Sequence, residues 1–141
     1  MVQFGLNLGC KEVMVADTVG MANPKRVNDL MSVLVERFGA DTFVMHLHDT
    51  RGLALANTLT AMQLGVHKFE SAAGGLGGCP FAPGAAGNVA TEDVLNMLSE
   101  MGVSTGINND RLHEAVLLVQ EGVHANLVSH MTPLYKAPAC V

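Results

Sequence analysis

The chain has 141 residues, 49% hydrophobic and 15% charged, with a formal net charge of −5. That is enough apolar material for one packed domain and too little charge for a disordered segment. The acidic balance, with eight Lys and Arg scattered and never in a run, argues against nucleic acid as a partner. No apolar run nears the roughly 18 residues of a membrane span, so no membrane partner is expected.

Cys10, Cys79 and Cys140 form no CxxC pair and are odd in number, so neither a disulfide framework nor a cysteine-based zinc site is expected. The opening "MVQFGLNLGC" reads as helix running into the first strand. It carries no basic n-region and no small-residue cleavage site, and the cytosol is the expected compartment.

In chain order, "KEVMVADT" predicts a short strand, with Val13 and Val15 alternating against Met14 and Ala16. Asn23 then caps a helix that has Pro24 at its first position. Val27, Leu30, Met31, Leu34, Val35 and Phe38 fall at helical spacing, and Gly39 stops it. "TFVMHLH" predicts the second strand, followed by a helix over about 53–64 that ends at Gly65. "HKFESAAG" predicts a third, weaker strand. A glycine-rich loop at 74–87 leads to a helix from Thr91 to Met101, and a further helix runs from near Asp110 to Gly122. Residues 131–141 read as an irregular tail. The methionines, such as Met31, Met62, Met97 and Met101, fall at helical core positions.

Strand and helix alternating at roughly 25–30 residues is the pattern of right-handed βαβ crossovers and a parallel sheet. In such folds the chemistry sits at the carboxyl ends of the strands. Here those ends fall near Asp17, His48 and Ala73. On this pattern the sheet either closes into a barrel or stays open, and a closed (β/α)8 barrel needs roughly 200–250 residues, more than three or four units supply.

Alternation puts Val44, His46 and His48 on one face of the second strand and Phe43, Met45 and Leu47 on the other. Two imidazoles on one face, about 6–7 Å apart along the strand, can address one ion. A His-x-His pair by itself more often marks hydrogen-bonded core histidines. Five glycines between Gly74 and Gly84 (Gly74, Gly75, Gly77 and Gly78 ahead of Cys79) make a segment able to close over a site. Cys79 sits in its middle, where it is either a thiol on a moving arm or an inert small hydrophobe. Asp49 and Thr50 either brace the histidines or cap the next helix, with the cap favoured. His67, His113, His124 and His130 have no partners at ligand spacing and read as surface or helix-end residues.

Taken together, "VADTVGMANP", "HLHDTRGLALAN" and "GGLGGCPFAPGAAGNVATED" resemble the 3-hydroxy-3-methylglutaryl-CoA lyases, members of a superfamily of metal-dependent TIM-barrel lyases and acyl-CoA-condensing synthases. The resemblance covers residues 11–101. It implies an α/β fold of parallel βα units forming part of a TIM (β/α)8 barrel, with the N-terminal half absent. It implies His46 and His48 as metal ligands, with Asn88 a third through its side-chain oxygen. Asp17 would be an active-site acid near the substrate, and Cys79 the catalytic thiol. His46 would double as the group handling the substrate's hydroxyl proton. The implied ion is Mg²⁺ or Mn²⁺, which suits mixed imidazole and oxygen ligands, and the implied substrate is an acyl-CoA.

The family's Arg-Asp pair on the first barrel strand and a second-strand glutamate have no counterpart here. Asp110-Arg111 is in the reverse order and opens a helix. Arg51 stands where an aromatic residue is expected. Three neutral ligands bind a dication poorly, so the chain alone is expected to be inactive or nearly so, completed by a missing half-barrel or a homo-oligomer. The alternatives are a condensing synthase of the same superfamily, which usually lacks the Gly-Gly-Cys-Pro loop, and a non-catalytic βα fragment or assembly subunit.

Overall fold

The computed structural model describes residues 1–78, 87–124 and 127–135. The chain divides into two compact units, residues 1–70 and 71–141.

In the first unit, helix α1 (Val2–Asn7) leads into strand β1 (Val13–Asp17), helix α2 (Pro24–Phe38), strand β2 (Phe43–Leu47), helix α3 (Ala54–Gln63) and strand β3 (Phe69–Glu70). The three strands pair in parallel in the order β1-β2-β3. Val13 lies opposite Phe43, Met45 opposite Phe69, and His46 opposite Glu70. The punctuation of α2 is as expected: Asn23 Oδ1 accepts from the Arg26 N–H at 3.0 Å, Pro24 fills the first position, and Gly39 ends the helix at φ 82°. Its inward stripe is narrower than expected. Val27 and Met31 are buried, whereas Leu30 is half exposed because it lines an open, mostly apolar cavity of about 230 Å³ among β1, β2 and α2. Phe43, Met45 and Leu47 of β2 are buried, as alternation requires, and Phe38 meets Phe43 edge to face at 6.4 Å.

Strand β3 is shorter than "HKFESAAG" suggested, stopping at Glu70. Gly74 and Gly75 both take positive φ in a 3₁₀ turn at Ala73–Gly75.

The second unit begins with that turn. Ala72 bridges Ala90 in parallel, and helices α4 (Thr91–Glu100), α5 (Asn109–Val123) and α6 (Thr132–Tyr135) follow. Val89, Ala90, Val94, Leu95, Leu98 and Val116 form its core. Met101, expected inside, caps the end of α4 beyond this stripe and is half exposed. The turn has no room for side chains: a Cβ on Gly74 would stand 2.7 Å from Leu127, and one on Gly75 2.6 Å from Val128. The Val128 N–H donates to the Gly74 carbonyl at 3.1 Å. Residues 132–135, read from sequence as irregular, make one helical turn instead. Two buried carboxylates hold this segment. Asp93 accepts from the Ser129 hydroxyl and from the His130 and Met131 N–H groups, while Glu92 accepts from the Thr132 hydroxyl and the Gly74 N–H. No helix among the described residues is long and apolar enough to cross a membrane.

Candidate active site

The carboxyl ends of β1 and β2 carry the polar residues singled out in the sequence. Asp17 ends β1, and both its oxygens accept backbone N–H groups, Oδ1 from Met21 at 2.9 Å and Oδ2 from Ala22 at 3.0 Å. These bonds turn the chain back into α2. Asp49 Oδ1 accepts the Ala54 N–H at 2.8 Å, the capping role favoured for it. Thr50 packs so closely on Gly20 that a Cβ there would lie 2.6 Å from it, and Arg51 Nη1 donates to the Gly20 carbonyl at 2.8 Å. The loops after β1 and β2 are thus tied to each other.

His46 lies on β2 and the buried His48 one residue past its end, and their Nε2 atoms stand 3.1 Å apart. Their rings are tilted 55° with centroids 5.1 Å apart. The 3.1 Å between the nitrogens is hydrogen-bond distance, one ring donating to the other, and it is also the roughly 3 Å that separates adjacent ligands around an ion with bonds of about 2.1 Å. His46 Nδ1 lies 2.9 Å from Glu70 Oε2. Sequence reasoning passed over Glu70, because the strand was expected to run on to Ala73. Had it been ended at Glu70, that carboxylate would have stood out as a residue at a strand terminus.

Asn88 lies in the second unit. Its Nδ2 donates to the Leu76 carbonyl at 2.8 Å, while its buried Oδ1 has no hydrogen-bond partner among the described residues. An orphaned, oriented amide oxygen is the kind of donor a hard cation takes up. Gly77, at φ 100°, makes room for it: a Cβ there would stand 2.8 Å from Asn88 Nδ2. Gly74, Gly75 and Gly77 thus serve close packing, whatever else the loop does. Cys79 and residues 80–86 lie outside the described residues. No group of three or more His, Cys, Asp and Glu able to hold a metal occurs among the described residues.

Of the remaining histidines, His67, His124 and His130 are exposed as expected, whereas His113, expected at the surface or a helix end, lies within α5 with its Nε2 buried. His67 lies 3.6 Å from Asp41, His124 ends α5 at φ 48°, and His113 stacks on Tyr135 at 4.0 Å. Burial, then the negative charges of Glu92 and Asp93, push the Tyr135 hydroxyl above its ordinary value.

The HMGL-like family model matches residues 1–119. The chain belongs to the HMGL-like family. It is 43% identical over 129 residues to hydroxymethylglutaryl-CoA lyase YngG of Bacillus subtilis, covering 92% of this chain and 43% of that one. It is 46% identical over 109 residues to the mitochondrial hydroxymethylglutaryl-CoA lyase of Bos taurus, covering 77% and 34%. An HMG-CoA lyase from A. baumannii, solved in complex with coenzyme A and 3-methylmalate, superimposes with a TM-score of 0.90 at 38% identity, covering 99% of this chain and 46% of that one. The chain therefore spans less than half the length of the relatives it matches. Its parallel βα units have the fold of part of a TIM barrel, as the family resemblance implied.

Proposed function

We propose that this chain supplies part of the barrel of a divalent-metal-dependent carbon–carbon lyase. Its substrate is 3-hydroxy-3-methylglutaryl-CoA or a similar 3-hydroxyacyl-CoA, cleaved to acetyl-CoA and, for the parent substrate, acetoacetate. The observation that carries the reading is the pair of imidazole nitrogens 3.1 Å apart at the carboxyl end of β2. Coenzyme A bound to the A. baumannii relative supports the acyl-CoA class.

His46 and His48 are the proposed ligands of a Mg²⁺ or Mn²⁺ ion. Asn88 is a further one, argued from its orphaned Oδ1. When bound, such an ion lowers the pKa of the substrate's tertiary hydroxyl and offsets the alkoxide charge. Asp17 is the acid near the substrate, its carboxylate steadied by two backbone N–H groups and placed to accept the hydroxyl proton as the alkoxide forms. As the carbon–carbon bond breaks, its electron pair passes to the acetyl-CoA carbon as an enolate. Cys79, outside the described residues, is the proposed donor of the proton that quenches it. Of the two roles implied for His46, its geometry supports the ligand.

Three neutral ligands hold a dication weakly, and the chain alone is inactive or nearly so on this reading. The test is a chimera in which residues 11–101 replace the matching segment of the Bacillus subtilis relative. The chimera is expected to release acetyl-CoA and acetoacetate only with Mg²⁺ or Mn²⁺, and Cys79→Ala in it to abolish cleavage. A folded chimera that cleaves equally well with Cys79 replaced sinks the lyase mechanism. Formation of a condensation product instead would favour the synthase.

A further inference from the structure

We infer that Glu70 is the positioning residue of His46, fixing the ring so that its Nε2 lone pair faces the ion; this rests on the metal-site reading above. The two residues lie opposite each other in the β2–β3 register, so their side chains leave the sheet on the same side. Glu70 Oε2 stands 2.9 Å from His46 Nδ1. A carboxylate only accepts, so Nδ1 carries the hydrogen and donates it. The neutral ring then has its lone pair on Nε2, the atom that stands 3.1 Å from His48 Nε2.

Two consequences follow. The carboxylate strengthens the imidazole as a donor and places a negative charge just behind a ligand set that is otherwise neutral. It also leaves His46 no second lone pair: with Nδ1–H given to Glu70 and Nε2 given to an ion, the ring cannot take the substrate's hydroxyl proton. His46 is then a ligand alone. The pair is partly open to water, with side-chain exposures of 27% for His46 and 48% for Glu70. Its contribution to folding is therefore small, and its loss reads out in ion binding and not in stability.

The experiment has two readouts on the full chain. Mn²⁺ titration compares wild type with Glu70→Ala, Glu70→Gln and His48→Ala, and ring ¹⁵N NMR reports the tautomer of His46 in the metal-free proteins. Glu70→Ala is expected to weaken Mn²⁺ by about 10–100-fold and to release the ring from its Nδ1–H form. Glu70→Gln, whose amide oxygen still accepts from Nδ1, should keep the tautomer and recover part of the affinity. His48→Ala should lose Mn²⁺ while the His46 tautomer stays. If Mn²⁺ binds wild type and is lost in His48→Ala, yet Glu70→Ala matches wild type in both readouts, the inference is overturned and the metal site stands. If wild type takes up no Mn²⁺ even at roughly millimolar concentration, where a weak site of neutral ligands still fills, the metal-site reading fails, while the tautomer still decides whether Glu70 orients the ring.

Discussion

Replacing Asp93 tests the claim that one buried carboxylate anchors the segment from Leu127 to Tyr135. Asp93 is 6% exposed. Its Oδ1 accepts from the Ser129 hydroxyl at 2.7 Å and the Met131 N–H at 3.0 Å, and its Oδ2 from the His130 N–H at 3.0 Å. Hydrogen bonds to a charged group contribute about 1.5–3 kcal/mol each, and a donor that can reach water recovers part of that. Ser129 is buried, whereas the two backbone donors are only partly so. Asp93→Ala should therefore cost about 3–5 kcal/mol. Asp93→Asn keeps the Oδ1 bonds but turns an amide N–H₂ toward the His130 N–H, and should cost about 2 kcal/mol. An acid serving only the dipole at the start of α4 would contribute about 0.3–1 kcal/mol, with Asn and Ala nearly alike. Urea unfolding followed by circular dichroism gives the totals, and hydrogen exchange at His130 and Met131 locates the loss. If Asp93→Ala stays within about 1 kcal/mol of wild type, with those two amides still protected, the anchoring argument is wrong.

Other outcomes follow from the same geometry. Tyr135 is the only tyrosine in a chain without tryptophan, so its near-ultraviolet titration reads one group. The midpoint should lie above 10.0, and Asp93→Asn should bring it down. Because the folded chain holds this proton longer than the unfolded one, the linked stability is complete below pH 10.0 and falls as pH rises through the raised pKa. Tyr135→Phe removes that fall, and a wild-type midpoint at or below 10.0 contradicts the burial account. Phe43→Ala empties a fully buried site between sheet and helices and should lower the unfolding free energy by about 3–5 kcal/mol in a denaturant titration. Gly77→Ala meets both a positive φ and the Asn88 amide. It should cost about 1–3 kcal/mol and shift the Asn88 side-chain resonances, and a wild-type spectrum would refute the close approach.

What could be read from the residues was what local chemistry encodes. Asn23, Pro24 and Gly39 bound α2 by capping and backbone preference, and the two-residue period of β2 separated His46 from the buried Phe43, Met45 and Leu47, although His48, just past the strand, is buried too. What escaped depended on distant partners. Glu92 and Asp93 read as ordinary first-turn acids, because Ser129, His130, Met131 and Thr132, which give them their role, lie 36 to 40 residues on. Glu70 escaped because its meaning comes from a neighbouring strand's register, and a two-residue strand leaves almost no period to read. Of the residues expected at the site, His46 and His48 come within 3.1 Å of each other and Asn88 presents an orphaned oxygen, whereas Cys79 lies outside the described residues.

The turn at Gly74 and Gly75 is sealed by Leu127 and Val128. Synthesis proceeds from the amino terminus at about 5–20 residues per second. The turn therefore leaves the ribosome seconds before its cover exists. During that interval its close-packed geometry has nothing to hold it, so the turn sets only after Leu127 and Val128 have been made.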